Sequence, residues 1–153
     1  MKAGNYHSMG NVSPGATPVA TCADSGNGIM GTYKIPAEHV YRDGLTIAFN
    51  GRPLTTKMHP YPFAAKDDVA VAIPKEPLSP EALIFIQAAI NAERWRFSYY
   101  RKCFFRKLGR MAVALPVLPD GSLNVKYMER AVRAQPYWWF LAPRFEDWNP
   151  TPP

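Results

Sequence analysis

Between Glu93 and Arg110 the chain sets seven basic residues, Arg94, Arg96, Arg101, Lys102, Arg106, Lys107 and Arg110, against one acid. Trp95, Phe97, Tyr99, Tyr100, Phe104 and Phe105 are threaded among them. Cations at this density neutralise phosphates, and aromatic rings interleaved with them contact or stack on bases, so the chemistry indicated is nucleic-acid binding. The segment's net charge equals the +6 of the whole chain, so the remaining cations and acids cancel. A sequence pI near 9.4 with its excess charge held in one place points to an acidic partner.

Bond-making chemistry has weaker support. The sequence contains no phosphate-cradling Gly-rich loop ending in Lys-Ser/Thr, no GxGxxG, no HExxH and no GxSxG. Cys22 and Cys103 lack zinc spacing, as do His7, His39 and His59, and both cysteines read as unpaired thiols of a reducing compartment. Asp67 and Asp68 are adjacent, and successive strand residues point to opposite faces, which places them poorly for a shared metal. A nuclease built on Asp67, Glu76 and Lys75, or a methyltransferase fragment, is the enzymatic alternative. No catalytic residue, cofactor or metal is assigned. A third alternative is a protein-interaction module that uses the Trp-rich tail.

The chain of 153 residues, 47% hydrophobic, suits one domain with an ordinary core. One lysine followed by Gly, Asn, Ser and Pro does not read as a secretory signal, and no run approaches a membrane span, so a cytoplasmic protein is expected.

Three parts are expected to position the basic segment. Residues 1–31, rich in Gly, Ser, Asn and Pro, read as a loop or frayed arm. Within residues 32–135, residues 45–49 form a strand closed by the Asn50-Gly51 turn, and residues 69–73 form a second, stopped by Pro74 and Pro77. Residues 52–61, with Arg52, Lys57 and His59 among threonines and prolines, read as an exposed loop or hairpin tip. Ser79, Pro80 and Glu81 are the cap, first residue and first-turn acid of a helix over residues 80–95, with Leu83, Ile86 and Ile90 on its packed face. A short helix over 104–108 ending at Gly109, a strand over 111–118 broken by Pro116, a turn at 119–122 and an amphipathic helix over 125–135 follow. Residues 136–153 are aromatic and proline-bound, and either fold back on the core or form an interface.

The order of several short elements resembles the target recognition domain of restriction-modification specificity subunits, of type I and the related type IIB enzymes. The elements are Asn27-Gly28-Ile29, Gly44-Leu45-Thr46-Ile47, Asn50-Gly51, Phe63 and Asp67-Asp68-Val69-Ala70-Val71, followed by Trp95-Arg96-Phe97-Ser98-Tyr99-Tyr100-Arg101-Lys102, Leu115-Pro116-Val117 and Tyr127-Met128-Glu129. Together they span roughly residues 25–130, and the Phe-Ser-Tyr-x-Arg-Lys element followed by Leu-Pro-Val is the most specific. The family commonly has glycine where this chain has Tyr100, so a different backbone is expected there. Its typical members also carry two recognition domains separated by long helices that dock the methyltransferase. This chain has one such domain, with a short helix where the spacer would begin.

The resemblance implies an α+β (mixed α/β) domain with a mixed sheet, one main helix and short helices. It implies sequence-specific binding of double-stranded DNA without catalysis, beside a methyltransferase (modification) subunit and a nuclease subunit. A homodimer is a further partner to expect. Arg101, Lys102, Arg106 and Lys107 would meet phosphates, with Tyr99 among them. Asn27, Asn50, Arg52, Thr55, Thr56 and Lys57 would supply base contacts from loops. Phe97, Tyr99 and Phe105 are expected largely to pack on the core.

Overall fold

The computed structural model of the chain describes residues 1–6, 8–98 and 100–146. Its strands are β1 (Lys2–Ala3), β2 (Pro14–Ala20), β3 (Ile29–Tyr33), β4 (Gly44–Ala48), β5 (Thr56–His59), β6 (Ala64–Ala65) and β7 (Val69–Ala72). An antiparallel sheet has the order β1-β7-β4-β5, and a mixed sheet has the order β3-β2-β6, with β2 and β6 parallel. The helices are α1 (Pro80–Ala92), α2 (Phe105–Leu108), α3 (Val125–Arg133) and α4 (Trp138–Leu141). The class is α+β.

Alternation along β4 and β7 explains the layering. Side chains along a strand point to opposite faces in turn. Leu45 and Ile47 of β4 join Ala70 of β7, Leu83 and Ile90 of α1, Cys103 and Leu108 in one core. Ala48, Val69 and Val71 point the other way and join Ala20, Phe63 and Ala65 in a second core beneath the mixed sheet. The antiparallel sheet is therefore covered on both faces, by α1 on one and by the mixed sheet on the other.

Helix α1 begins as its sequence requires. The Ser79 hydroxyl accepts from the Ala82 amide at 3.3 Å, and Pro80 occupies the first position, where its missing N–H is not needed. The helix continues as a 3-10 turn over Glu93–Arg96. Glu81, though buried, is met by the Arg133 guanidinium at 2.8 Å, which ties α1 to α3. Asn124 caps α3 by accepting from the Tyr127 amide at 3.0 Å, and Met128 and Val132 are its buried face.

Three sequence expectations are corrected. Residues 1–31 are not a loop or frayed arm, since they contain β1, β2 and the start of β3. Pro14 and Pro18 hid β2, but both lie outside its short pairing with β6, and register shifts flank the tract. Gly4 lets the arm dock, because a Cβ there would stand 1.8 Å from the Lys66 carbonyl oxygen. Residues 52–61 are not an exposed loop either, because β5 occupies their second half and is buried throughout. Residues 111–118 form no strand. Their backbone pairs only through a bridge between Val117 and Leu123, although Met111 and Val113 pack on the core.

Strand β5 ends its sheet, and α1 attends to that edge. Asn91 accepts from the Thr56 amide at 2.8 Å and returns a bond to the Thr56 carbonyl at 3.3 Å. Replacing Asn91 by Ala removes both bonds and leaves a buried backbone pair without partners. Asn91→Ala is expected to lower the unfolding free energy by about 2 kcal/mol, read as a shift of the urea midpoint at unchanged slope. A loss below about 0.5 kcal/mol would show that water replaces the amide without penalty.

Candidate nucleic-acid interface

The basic segment leaves α1 as the 3-10 turn, crosses residues 97–104 and re-enters helix at α2. Phe97 is half-buried against the core, and Phe105 meets Phe49 edge-on with ring centroids 6.4 Å apart. Phe97 packs on the core as expected from the sequence, whereas Phe105 is 37% exposed and reaches the core only through Phe49. Tyr99 lies outside the described residues. Trp95, Tyr100 and Phe104 are 70%, 94% and 56% exposed.

Six of the seven cations are exposed. Arg94 is half-buried and donates to the Asn91 side-chain oxygen Oδ1 at 3.0 Å, and Arg96 pairs with Glu93. Among the described residues no carboxylate pairs with Arg101, Lys102, Arg106, Lys107 or Arg110. Arg101 instead reaches the Ser98 hydroxyl and the Trp95 carbonyl, both at 3.4 Å. Lys107 donates to the Lys102 carbonyl at 3.4 Å and stands 5.6 Å from the Phe104 ring centroid. These cations keep their charge facing solvent.

The turn between β4 and β5 faces this segment. Gly51 adopts φ +61° and packs beside Cys22, where a Cβ would lie 3.3 Å from the Cys22 sulfur and carbonyl oxygen. Leu54 is wholly buried and takes φ +60°, a conformation that costs a non-glycine residue about 1–2 kcal/mol. Its burial in the core, worth roughly 2 kcal/mol, offsets that cost and holds the tip of the turn outward. Phe49, Asn50, Gly51 and Pro53 thus make one wall of a cleft of about 580 Å³ whose other wall is Ser98, Tyr100, Lys102, Phe104 and Lys107. Tyr100 has φ +69°, in the left-handed region that glycine enters freely, so its backbone takes a glycine-like conformation despite the larger residue.

The structure brings Asn50, Lys102 and Lys107 to one cleft and leaves Arg52, Arg101 and Arg106 exposed. It separates the other expected base readers from solvent or uses their donors. Lys57 is buried in β5 and its ammonium donates to the Ala23 carbonyl, while burial pulls it below its ordinary pKa range. Thr55 and Thr56 are also buried. Their reading as loop contacts is corrected, for the same reason that residues 52–61 are not an exposed loop. Asn27 is exposed, but its amide donates to the Met58 carbonyl at 2.9 Å and to the Tyr61 hydroxyl at 3.2 Å. It takes φ +50°, which asparagine tolerates better than most residues.

Behind Asn27 lies a polar group the sequence did not mark. His59 is fully buried, with Nε2 2.8 Å from the Thr46 hydroxyl and Nδ1 3.2 Å from the Tyr61 hydroxyl. Its ring lies 4.6 Å from that of Phe63. Gly44 pairs with His59 across the strands, and a Cβ on Gly44 would stand 2.4 Å from the Ile73 side chain and 3.0 Å from the Ala72 carbonyl oxygen. The signal available in the sequence was alternation, since Lys57 and His59 share one face of β5 and Thr56 and Met58 the other.

The acids of the enzymatic alternative are far apart. Asp67 and Asp68 precede β7 and Lys75 and Glu76 follow it, so about 13 Å of strand intervenes. Asp68 accepts from the Thr21 hydroxyl at 2.6 Å. Among the described residues no cluster of three metal-ligating side chains occurs, and no helix is long and apolar enough to cross a membrane. Both cysteines are free thiols, and burial raises the pKa of each.

Comparison with family models, curated proteins and solved structures finds no match to this chain.

The buried histidine makes stability depend on pH. Burial first, and the Lys57 charge second, lower the His59 pKa from 6.5 to about 4. The unfolded chain takes up this proton near pH 6.5 and the folded chain only near 4, so the unfolded state is favoured as pH falls between them. The contribution is complete above 6.5 and lost by 4, a change of about 3 kcal/mol. Urea unfolding at several pH values is expected to show this decline, and His59→Gln to flatten it. An equally steep decline in the variant would assign the effect to other groups.

Proposed function

We propose that this chain binds double-stranded DNA through the face made by the turn after β4 and residues 98–110. The observation that carries the reading is the set of five exposed cations, Arg101, Lys102, Arg106, Lys107 and Arg110, without carboxylate partners among the described residues. A surface serving only solubility intersperses both signs. Here the excess is held on one segment that Phe97 anchors to the core and Phe105 joins to Phe49. In this reading Arg101, Lys102, Arg106 and Lys107 neutralise phosphates, and Asn50 and Arg52 approach base edges.

The setting we propose is the target recognition component of a cytoplasmic restriction-modification system, non-catalytic and partnered by a methyltransferase subunit and a nuclease subunit. Support for that setting is the sequence resemblance. The different backbone expected at Tyr100 is not found, since φ +69° there is a conformation that glycine also adopts. Protein partners would meet a different face. Trp138 stacks on Phe145 and Phe145 packs on the core, yet Tyr137, Trp139 and Phe140 stay exposed, apolar surface of the kind interfaces use.

Titrating a fluorescent duplex at several salt concentrations tests the DNA reading. Log affinity is expected to fall linearly with log salt. Replacing both Arg101 and Lys102 by Ala should weaken binding to all sequences and flatten the slope by about two units. Lys75→Ala, beyond the far end of β7, should leave the slope unchanged. A native slope near zero would remove DNA as the partner of this face.

A further inference from the structure

We propose that the cleft between the turn after β4 and the basic segment receives a single unpaired nucleobase. This inference rests on the nucleic-acid reading of the same face and adds the form of nucleic acid it prefers. An intact duplex shows its bases only by their edges and hides their flat faces in the stack. Phosphate neutralisation on such a duplex needs cations and nothing else from the protein. This cleft offers more than cations.

Tyr100 and Phe104 present large rings to solvent on one wall. An exposed aromatic pair in a basic cleft is the platform on which unpaired bases stack, tolerant of which base arrives because every base has a π-face. Asn50, on the opposite wall, is exposed and its amide makes no hydrogen bond to a described residue. It therefore offers an NH2 donor beside a carbonyl acceptor, which suits the edge of a base exposed by loss of its partner. Lys102 and Lys107 stand on the ring-bearing wall, where the phosphates on either side of an inserted base would pass. The volume of about 580 Å³ falls within the range of roughly 300–1,000 Å³ usual for small-ligand pockets. Backbone strain marks the ring-bearing wall, since Tyr100 holds left-handed backbone without being glycine. Such strain persists only where the surrounding structure over-determines it, and it concentrates at ligand clamps.

Other small occupants would use only part of the cleft. A cationic or apolar ligand would gain nothing from the two ammonium groups, and a lone phosphate nothing from the rings. A planar heterocycle carried on a phosphate chain uses every group in the cleft.

Two duplexes of identical sequence, one with a single unpaired 2-aminopurine and the other fully paired, distinguish this inference from the reading beneath it. The native chain is expected to bind the bulged duplex about tenfold tighter and to change the fluorescence of the unpaired base. Phe104→Ala, whose folding is checked by circular dichroism, should bring the ratio of the two affinities toward one, since losing a stacking ring costs about five- to a hundredfold. Equal affinity of the native chain for both duplexes would overturn the inference and leave the DNA reading standing. A preference that survives Phe104→Ala unchanged would overturn it as well. Binding to neither duplex would overturn both.

Discussion

Strands β4 and β7 are buried on both faces, and the rest of the fold follows from that requirement. A strand covered on one side only can alternate apolar with polar residues, whereas these must find two cores at once. Leu45 and Ile47 are answered by α1, and Val69 and Val71 by Phe63 and the small residues of β2 and β6. With both faces taken, this sheet can contribute to a functional surface only through the ends of its strands and the turns that join them. The cleft lies at one such turn. The turn at the end of β4 supplies one wall, and the chain leaving α1 supplies the other.

Legibility in the sequence followed the kind of signal each element carries. Helix α1 was readable because cap, first-turn proline and apolar spacing agreed, and β4 and β7 were readable because their residue types and flanking turns agreed. Strand β2 was missed because Pro14, Gly15 and Pro18 speak against a strand, and only tertiary pairing with β3 and β6 overrides them. Strand β5 was missed because threonine, lysine and histidine resemble an exposed tip. Nothing local tells that Lys57 will lie against the Ala23 carbonyl or that His59 will find Thr46 and Tyr61. The same ambiguity divided the site. Cations in a run without acids were placed correctly on the surface, while single polar residues among prolines were not.

Electrostatics and packing are kept apart within the basic segment, and the order of residues shows how. Phe97, Cys103 and Leu108 turn inward at intervals that leave Arg101, Lys102, Arg106 and Lys107 outside. Burying any of those charges without a partner would cost several kcal/mol. Their exposure is thus a condition of folding as well as an opportunity for binding. Arg94, at the start, is the exception, and it spends a guanidinium bond on Asn91. The register of the charged face is thereby keyed to the sheet.

That keyed contact also bears on how the molecule behaves in company. An edge strand displays a row of unpaired amides and carbonyls, on which a strand from another molecule can build. On β5 the two residues whose backbone groups point away from β4 are Thr56 and Met58, though their side chains are buried. Asn91 occupies both backbone groups of Thr56, and Asn27 occupies the Met58 carbonyl. Two asparagine side chains, one from a helix and one from a loop, imitate the strand that is missing. The sheet is closed to extension at β5 by amides that cannot themselves propagate a ladder, so this edge is protected from strand addition and from aggregation by that route.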